Sequence, residues 1–90
     1  MTQWKIEFSD RARRDLRKFD RQIRDRLIKF IKDLQTLPNP RSIGKVLSGP
    51  LGLYWCYRMG DYRIICNIRD NVLVIEIIRL GHRREIYKQF

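Results

Sequence analysis

Three strand-like segments in the second half of the chain, joined by very short connections, constrain the fold most. They run roughly over Leu53 to Met59, Tyr62 to Arg69 and Val72 to Leu80, and they are rich in isoleucine, valine and aromatic residues. Between them stand Gly60-Asp61 and Asp70-Asn71, residue types that favour tight turns. Because such short connections join neighbouring strands that run in opposite directions, this half predicts an antiparallel sheet.

The first half predicts a short strand followed by two helices. Apolar residues alternate with charged ones at the start, as in a strand with one buried face: Trp4, Ile6 and Phe8. Ser9 suits the N-cap of a helix that runs to about Phe19, and Asp20 suits the N-cap of a second helix. Before Pro38 the second helix carries an apolar stripe made of Ile23, Leu27, Phe30, Ile31, Leu34 and Leu37.

A segment rich in glycine, proline and serine, residues 44–52, links the two halves, and we expect it to be a loop. The element order is then β-α-α-β-β-β, with a short helical tail after Gly81. Ninety residues build one hydrophobic core, so we expect a single domain over residues 1–90. The predicted class is α+β, with an N-terminal strand and a two-helix hairpin packed on one face of a small antiparallel sheet.

The charge balance indicates a polyanionic partner. Twenty basic and ten acidic residues give a formal net charge of +10, and the segments before and after Pro38 each carry +5. The excess therefore belongs to the folded body, which would attract nucleic acid, an anionic membrane or an acidic protein. A hydrophobic content of 43% excludes a disordered chain.

Other sequence features predict a cytoplasmic protein without a cofactor. The first ten residues lack the apolar run of a secretory leader, and no segment reaches the ~20 apolar residues of a membrane span. Cys56 and Cys66 lie in predicted strands, where buried free thiols are expected. No histidine and cysteine cluster has the spacing of a metal site.

Period-two alternation divides the predicted strands into two faces. The more apolar sets should face the helices: Trp55, Tyr57, Met59, Tyr62, Ile64, Cys66 and Ile68. The opposite, open face should carry Tyr54, Cys56, Arg58, Arg63, Ile65, Asn67 and Arg69. The last strand is apolar on both sides, so its pattern assigns Arg79 to neither face.

The open face is the candidate site. Arg58 and Arg63 lie on it, and the tail that should border it holds His82, Arg83, Arg84, Tyr87 and Lys88. Forked guanidinium donors suit phosphate oxygens, and an aromatic ring can stack on a base. This composition suits RNA, although basic sheets also bind nucleic acid without cutting it.

Two motifs resemble a known family. LYWCYRMGDYRIIC at residues 53–66 and VIEIIRLGHRREIY at residues 74–87 resemble RelE-type toxins of bacterial and archaeal toxin–antitoxin pairs. The strongest parts are GDYR at 60–63 and GHRREIY at 81–87, and the resemblance extends to the two-helix half and the SGPLGLY segment at 48–54. It implies the RelE-like fold over nearly the whole chain.

The resemblance also implies an activity: ribosome-dependent cleavage of mRNA without metal, in which the ribose 2′-hydroxyl attacks the adjacent phosphate. By motif position, Arg63 and Arg83 would stabilise the phosphorane, and Tyr87 would stack on a base or assist proton transfer. The residues expected to bind RNA are Arg58, Tyr54, Lys45, Arg84 and Lys88. The partners implied are the ribosome with its mRNA and an acidic antitoxin that assembles with the toxin.

One departure from the family bears on the proton transfer. Two lysines that members carry on the strand before GDYR are replaced here by Tyr54 and Cys56. His82 becomes the candidate for the general base, together with Tyr87, since an unperturbed imidazole titrates near ~6.5.

Plainer interpretations remain for single residues. Arg63 could pair with Asp61 or Glu76, His82 could be a solvated loop residue, and Tyr87 could only anchor the tail. The arginines of the first helices could form i,i+4 pairs, Arg11 with Asp15 and Arg21 with Asp25, or touch ribosomal RNA.

Two other functions are also compatible with the sequence. The ParE branch of the same superfamily shares the fold and inhibits DNA gyrase. Inhibition by binding does not require catalytic residues in the toxin. A non-enzymatic RNA-binding module would bind RNA in a salt-sensitive way without cleaving it.

Overall fold

The computed structural model describes residues 3–49 and 52–86 as one mixed sheet with two helices across one face. In chain order, the elements are β1 (Lys5–Phe8), α1 (Asp10–Lys18), α2 (Arg21–Leu34), a 3₁₀ turn (Pro40–Ser42), β2 (Lys45–Gly49), β3 (Gly52–Met59), β4 (Tyr62–Arg69) and β5 (Val74–His82). Within the described ranges, neither helix is both long and apolar enough to cross a membrane.

Both helices begin at the predicted caps. The Ser9 hydroxyl accepts the N–H of Ala12 at 3.0 Å, and the Asp20 carboxylate accepts the N–H of Ile23 at 3.0 Å. Each bond satisfies one of the free donors in the first turn of a helix. The last predicted stripe residue, Leu37, follows α2 in a tighter turn instead of continuing the helix.

The strand order is β1-β5-β4-β3-β2. The three predicted strands pair antiparallel, as expected, in the order β3-β4-β5. Two features differ from the prediction. β1 pairs parallel to β5, from Lys5 with Val74 to Phe8 with Ile77, so the sheet is mixed. Residues 45–49, which were expected to lie in a loop, form β2. This strand pairs with the edge of β3, so the backbone N–H and C=O groups of the two strands hydrogen-bond to each other.

The helices cover one face of the sheet, here called the helix face. Its core contains most of the side chains that alternation assigned to it, with Leu27, Ile31 and Leu34 of α2 above them. The other face, here called the arginine face, carries Lys45, Tyr54, Cys56, Arg58, Arg63 and Ile65. The predicted division of β3 and β4 into two faces is confirmed.

The two cysteines are buried free thiols on opposite faces of the sheet. Cys66 lies in the helix-face core, where burial raises the pKa of its thiol. Cys56 lies on the arginine face, directly opposite Ile65. The expectation of two buried free thiols is confirmed.

Candidate functional site

The β3–β4 hairpin places two arginines side by side. Gly60 adopts φ 58°, a left-handed conformation that favours glycine, and the two-residue turn brings Arg58 directly opposite Arg63. Side chains opposite each other in an antiparallel pair point to the same face, with their Cβ atoms roughly 5 Å apart. Like charges on directly opposite residues are unfavourable, so the pair favours an anion near the two side chains.

Arg63 is nearly buried, at 7% exposure. Its Nη1 donates to the carbonyl oxygens of Gly60 at 2.9 Å and Tyr62 at 3.1 Å. Within the described ranges no carboxylate lies within ion-pair distance of Arg63, so the expected alternatives, Asp61 and Glu76, do not neutralise it. Arg63 therefore contributes a positive charge to the arginine face that no carboxylate of the described residues neutralises.

Arg83 is held beside the same hairpin. Its backbone N–H donates to the carbonyl of Asp61 at 2.7 Å, and its Nε lies 3.5 Å from the Asp61 carboxylate. Both side chains are more than half exposed, and such surface ion pairs are weak. Asp61 therefore orients Arg83 next to the turn while leaving it available to a stronger anionic ligand.

His82 lies elsewhere than expected. It is the last residue of β5 and pairs with Tyr62, so it faces the helix side of the sheet and not the side of Arg63. Its ring contacts the edge of Tyr62 at a centroid distance of 5.7 Å. Its Nδ1 accepts the N–H of Arg84 at 3.2 Å, which in the neutral ring leaves the proton on Nε2.

The centre of the arginine face is covered rather than open. After His82 the chain makes one helix-like turn, in which Glu85 and Ile86 both donate their N–H to the His82 carbonyl. Ile86 is 1% exposed and packs on Cys56 and Ile65. This corrects the expectation of an open sheet surface.

Glycine at position 81 makes this packing possible. A Cβ at Gly81 would lie 3.2 Å from the Cβ of Ile86, closer than side chains normally approach. Sequence reasoning missed this contact, although an apolar residue in the polar tail could have indicated it.

The other residues predicted to bind RNA lie at several positions around Arg63 and Arg83. Lys45 and Arg58 are exposed on the arginine face, Tyr54 is partly buried there, and Arg84 is exposed in the turn after β5. Tyr87 and Lys88 lie outside the described residues. The structure thus brings Arg58, Arg63 and Arg83 together at one end of the sheet.

A buried ion pair, Arg79 with Asp15, also escaped the sequence analysis. Arg79 Nε donates to Asp15 Oδ2 at 2.9 Å, with side-chain exposures of 10% and 6%. The signal was present, because Asp15 lies on the apolar stripe of α1 between Ala12 and Phe19. The two expected i,i+4 pairs, Arg11 with Asp15 and Arg21 with Asp25, are observed at 3.9 and 3.8 Å.

Fold and site together describe a small basic α+β protein with an arginine cluster suited to a phosphate-containing ligand. No group of three or more potential metal-ligating side chains occurs in residues 3–49 and 52–86.

The sequence matches a known protein family. Residues 6–87 match the family described as ParE toxin of type II toxin–antitoxin system, parDE. Toxin RelG of Mycobacterium tuberculosis is 33% identical over 85 residues, which cover 93% of this chain and 95% of that toxin. The chain belongs to the RelE/ParE superfamily and is a toxin of the type II toxin–antitoxin class.

Solved structures agree with this assignment. A chain in the RelBE2 toxin–antitoxin complex of M. tuberculosis is similar with a TM-score of 0.78 at 32% identity, covering 90% of this chain and 99% of that one. A chain in the archaeal RelE–RelB complex of Pyrococcus horikoshii gives 0.73 at 25% identity, covering 94% and 99%. The RelE-like fold expected from the motifs is confirmed.

Proposed function

We propose that this toxin is a metal-independent endoribonuclease that cleaves mRNA on the ribosome and thereby inhibits translation in the cytoplasm. The observation that carries the proposal is the like-charged pair Arg58 and Arg63, with Arg83 beside it. Three guanidinium groups at one end of a sheet suit a phosphodiester better than a protein surface. The relatives named RelE and RelG support the RelE branch of the superfamily over the ParE branch.

In the proposed reaction the ribose 2′-oxygen forms a bond to phosphorus and the bond from phosphorus to the 5′-oxygen breaks. A base takes up the 2′-proton, and the leaving 5′-oxygen gains a proton from an acid or from water, so the products are a 2′,3′-cyclic phosphate and a 5′-hydroxyl. Arg63 and Arg83 stabilise the negative charge that develops on the phosphorane oxygens. Arg63 acts more strongly because it is largely shielded from water, where charges interact with less screening. Arg58, Tyr54, Lys45, Arg84 and Lys88 bind the RNA strand around the scissile phosphate.

The first test is cleavage of mRNA on translating ribosomes, with 5′-ends mapped by primer extension. We expect Arg83→Ala to lower the cleavage rate by about 10²-fold or more, the usual effect of removing a group that stabilises a transition-state charge. Arg26→Ala is the matched control, since Arg26 is exposed on α2, away from the arginine face. Equal loss in both variants, or no loss in either, would contradict the assignment.

The second test addresses the nucleophile. An mRNA with a 2′-O-methyl group at the mapped cleavage position lacks the attacking hydroxyl and should remain intact, while neighbouring unmodified sites are still cut. Cleavage at the modified position would exclude 2′-hydroxyl attack.

The proton acceptor is proposed to be Tyr87 or His82, and the ring of His82 would have to turn from the helix side of the sheet towards Arg63 to reach the ribose. In the described arrangement the Nδ1 of His82 already accepts the N–H of Arg84, so His82 must give up that bond before it can take the 2′-proton. A His82→Gln variant with the full cleavage rate would remove His82 from the mechanism and leave Tyr87.

The proposed protein partner is an acidic antitoxin. The net charge of +10 favours an acidic segment, and structural relatives were solved as complexes of RelE with RelB. We expect the antitoxin to cover Arg63 and Arg83 or to displace the tail at 81–90. A purified complex in which both arginines stay open to solvent would contradict occlusion of the site.

Inhibition of DNA gyrase is the second candidate, because the matched family description names ParE. Tyr54 and Cys56 in place of the family lysines also fit a toxin without a nuclease site. Gyrase supercoiling assays with purified toxin decide between the two. Loss of supercoiling, with no codon-phased mRNA ends after induction, would favour gyrase.

A further inference from the structure

β5 contains one residue more than its neighbour β4, close to the arginine cluster. Cys66 pairs with Ile77 whereas Ile65 pairs with Arg79, so Ile78 has no partner on β4. A β-bulge of this kind shifts every later pair by one residue and redirects the side chains that follow.

The bulge decides which residue lies opposite Arg63. In the observed register this residue is Gly81. In a regular ladder Leu80 would take the position, and its side chain would fill the space that Ile86 now occupies above Gly81. The packing of the tail on the arginine face therefore requires the bulged register.

The backbone around the bulge forms hydrogen bonds with α1 and with its N-cap residue. The N–H and the hydroxyl of Ser9 donate to the carbonyl oxygens of Ile77 and Ile78, both at 2.9 Å. Asp15 Oδ2 accepts the N–H of Leu80 at 3.0 Å. These backbone groups would be unpaired or misaligned if β5 moved by one residue, so the bonds select one register.

The same carboxylate oxygen binds Arg79, the residue that follows the extra one. Replacing a buried ion pair by apolar side chains is often neutral or stabilising, so stability alone does not account for this pair. What apolar side chains could not supply is the acceptor for the Leu80 N–H.

We propose that Ser9, Asp15 and Arg79, together called the bulge clamp, are positioning residues of the toxin. The bulge clamp holds β5 in the bulged register, and thereby places Gly81 opposite Arg63 and Arg83 beside the hairpin turn. The proposal rests on the nuclease function for its catalytic consequence, but the register itself can be measured without any activity.

The test compares three variants. Asp15→Ala removes the carboxylate that accepts the Leu80 N–H, and the double variant Asp15→Leu/Arg79→Met replaces the pair by apolar side chains that can restore stability. Asp25→Ala is the matched control, since Asp25 forms an exposed i,i+4 pair on α2. Melting temperatures establish which variants are folded.

We expect the first two variants to lower kcat for ribosome-dependent cleavage about tenfold or more, with KM changed by less than about twofold, because the reacting groups are misplaced rather than removed. Amide exchange of Leu80 should accelerate, and the NMR shifts of Gly81 and Arg83 should move. The control should match the wild type in every readout.

Two outcomes would overturn the proposal. One is a folded double variant with wild-type kcat, and the other is unchanged exchange at Leu80 with unchanged shifts at residues 81–83. If the wild type cleaves no RNA, the proposed nuclease function fails, while the exchange and shift measurements still decide whether the bulge clamp holds the register.

Discussion

The pair Arg58 and Arg63, proposed to bind RNA, illustrates how residues placed for a ligand can oppose stability. Their cross-strand repulsion is unfavourable in the free protein, and an anion that binds between them would relieve it. The pair is thus better explained by a ligand than by the fold.

Replacing Arg58 should therefore stabilise the protein. We expect Arg58→Thr to raise the free energy of unfolding by about 0.5 kcal/mol, because like charges no longer face each other and threonine suits a strand. Urea unfolding followed by circular dichroism measures the change. Lys45→Thr is the control, since Lys45 lies opposite Cys56 and not opposite a cation, and it should leave stability nearly unchanged. A loss of stability in Arg58→Thr would contradict the repulsion.

Gly81 tests the packing of the tail. Gly81→Ala should destabilise the protein by about 1–2 kcal/mol, because the new Cβ meets Ile86 at 3.2 Å. Combining it with Ile86→Ala should cost less than the sum of the two single changes, which a double-mutant cycle measures. Additive costs would mean that the two residues do not contact each other in solution.

At the scale of elements, the local signals were predictable and the long-range pairings were not. Ser9 and Asp20 cap the helices with their own side chains, so these helix starts can be predicted from local sequence. The same holds for the hairpin turn at Gly60-Asp61, because its residue types favour a tight turn. The direction of β1 depends on where β5 lies, which no local pattern encodes. β2 becomes a strand only because β3 offers a free edge, in a segment whose composition is typical of loops.

The positions of the candidate site residues were also only partly predictable from the sequence. The arginines of β3 and β4 follow from alternation, which holds as long as the strands are regular. His82 follows a bulge that alternation cannot detect, so its face was not predictable.

The segment before β2 is tied to the turn after β4 by one ion pair. Arg41 Nη1 donates to Asp70 Oδ1 at 2.8 Å, and this bond lowers the pKa of the Asp70 carboxyl. A carboxyl with a lowered pKa in the folded state stabilises the fold above its unfolded pKa, and the contribution disappears as the pH falls through the folded value.

Asp70→Asn should therefore reduce the free energy of unfolding at pH 7 by less than about 1 kcal/mol, the usual range of an exposed pair. The difference from the wild type should shrink towards zero at strongly acidic pH, below the lowered folded-state pKa of Asp70, where the wild-type carboxyl is also neutral. Unfolding curves at both pH values measure it. Asp33→Asn is the control, because within the described ranges Asp33 forms no ion pair. A difference that persisted at low pH would exclude the charge as its cause.

For the whole molecule, the positive charge carried by both halves of the chain predicts that the proposed binding of RNA depends strongly on salt. Each phosphate contact to a single strand contributes about 0.7 to the slope of log affinity against log salt. We expect Arg58→Ala to lower the slope by about that amount, and Arg26→Ala to leave it unchanged. Fluorescence anisotropy with a single-stranded RNA, titrated at several NaCl concentrations, measures both slopes. Equal slopes for Arg58→Ala and the wild type would remove Arg58 from the RNA surface.

The parallel pairing of β1 with β5 has a consequence for folding during synthesis on the ribosome. The strand that is synthesised first has its only sheet neighbour, among the described residues, in the strand that is synthesised last. Until β5 has left the exit tunnel, the helices have no complete sheet to cover, and contacts between such distant segments form slowly. A nascent chain of this topology therefore cannot complete its sheet, or assemble the arginine cluster beside β5, before β5 has left the tunnel.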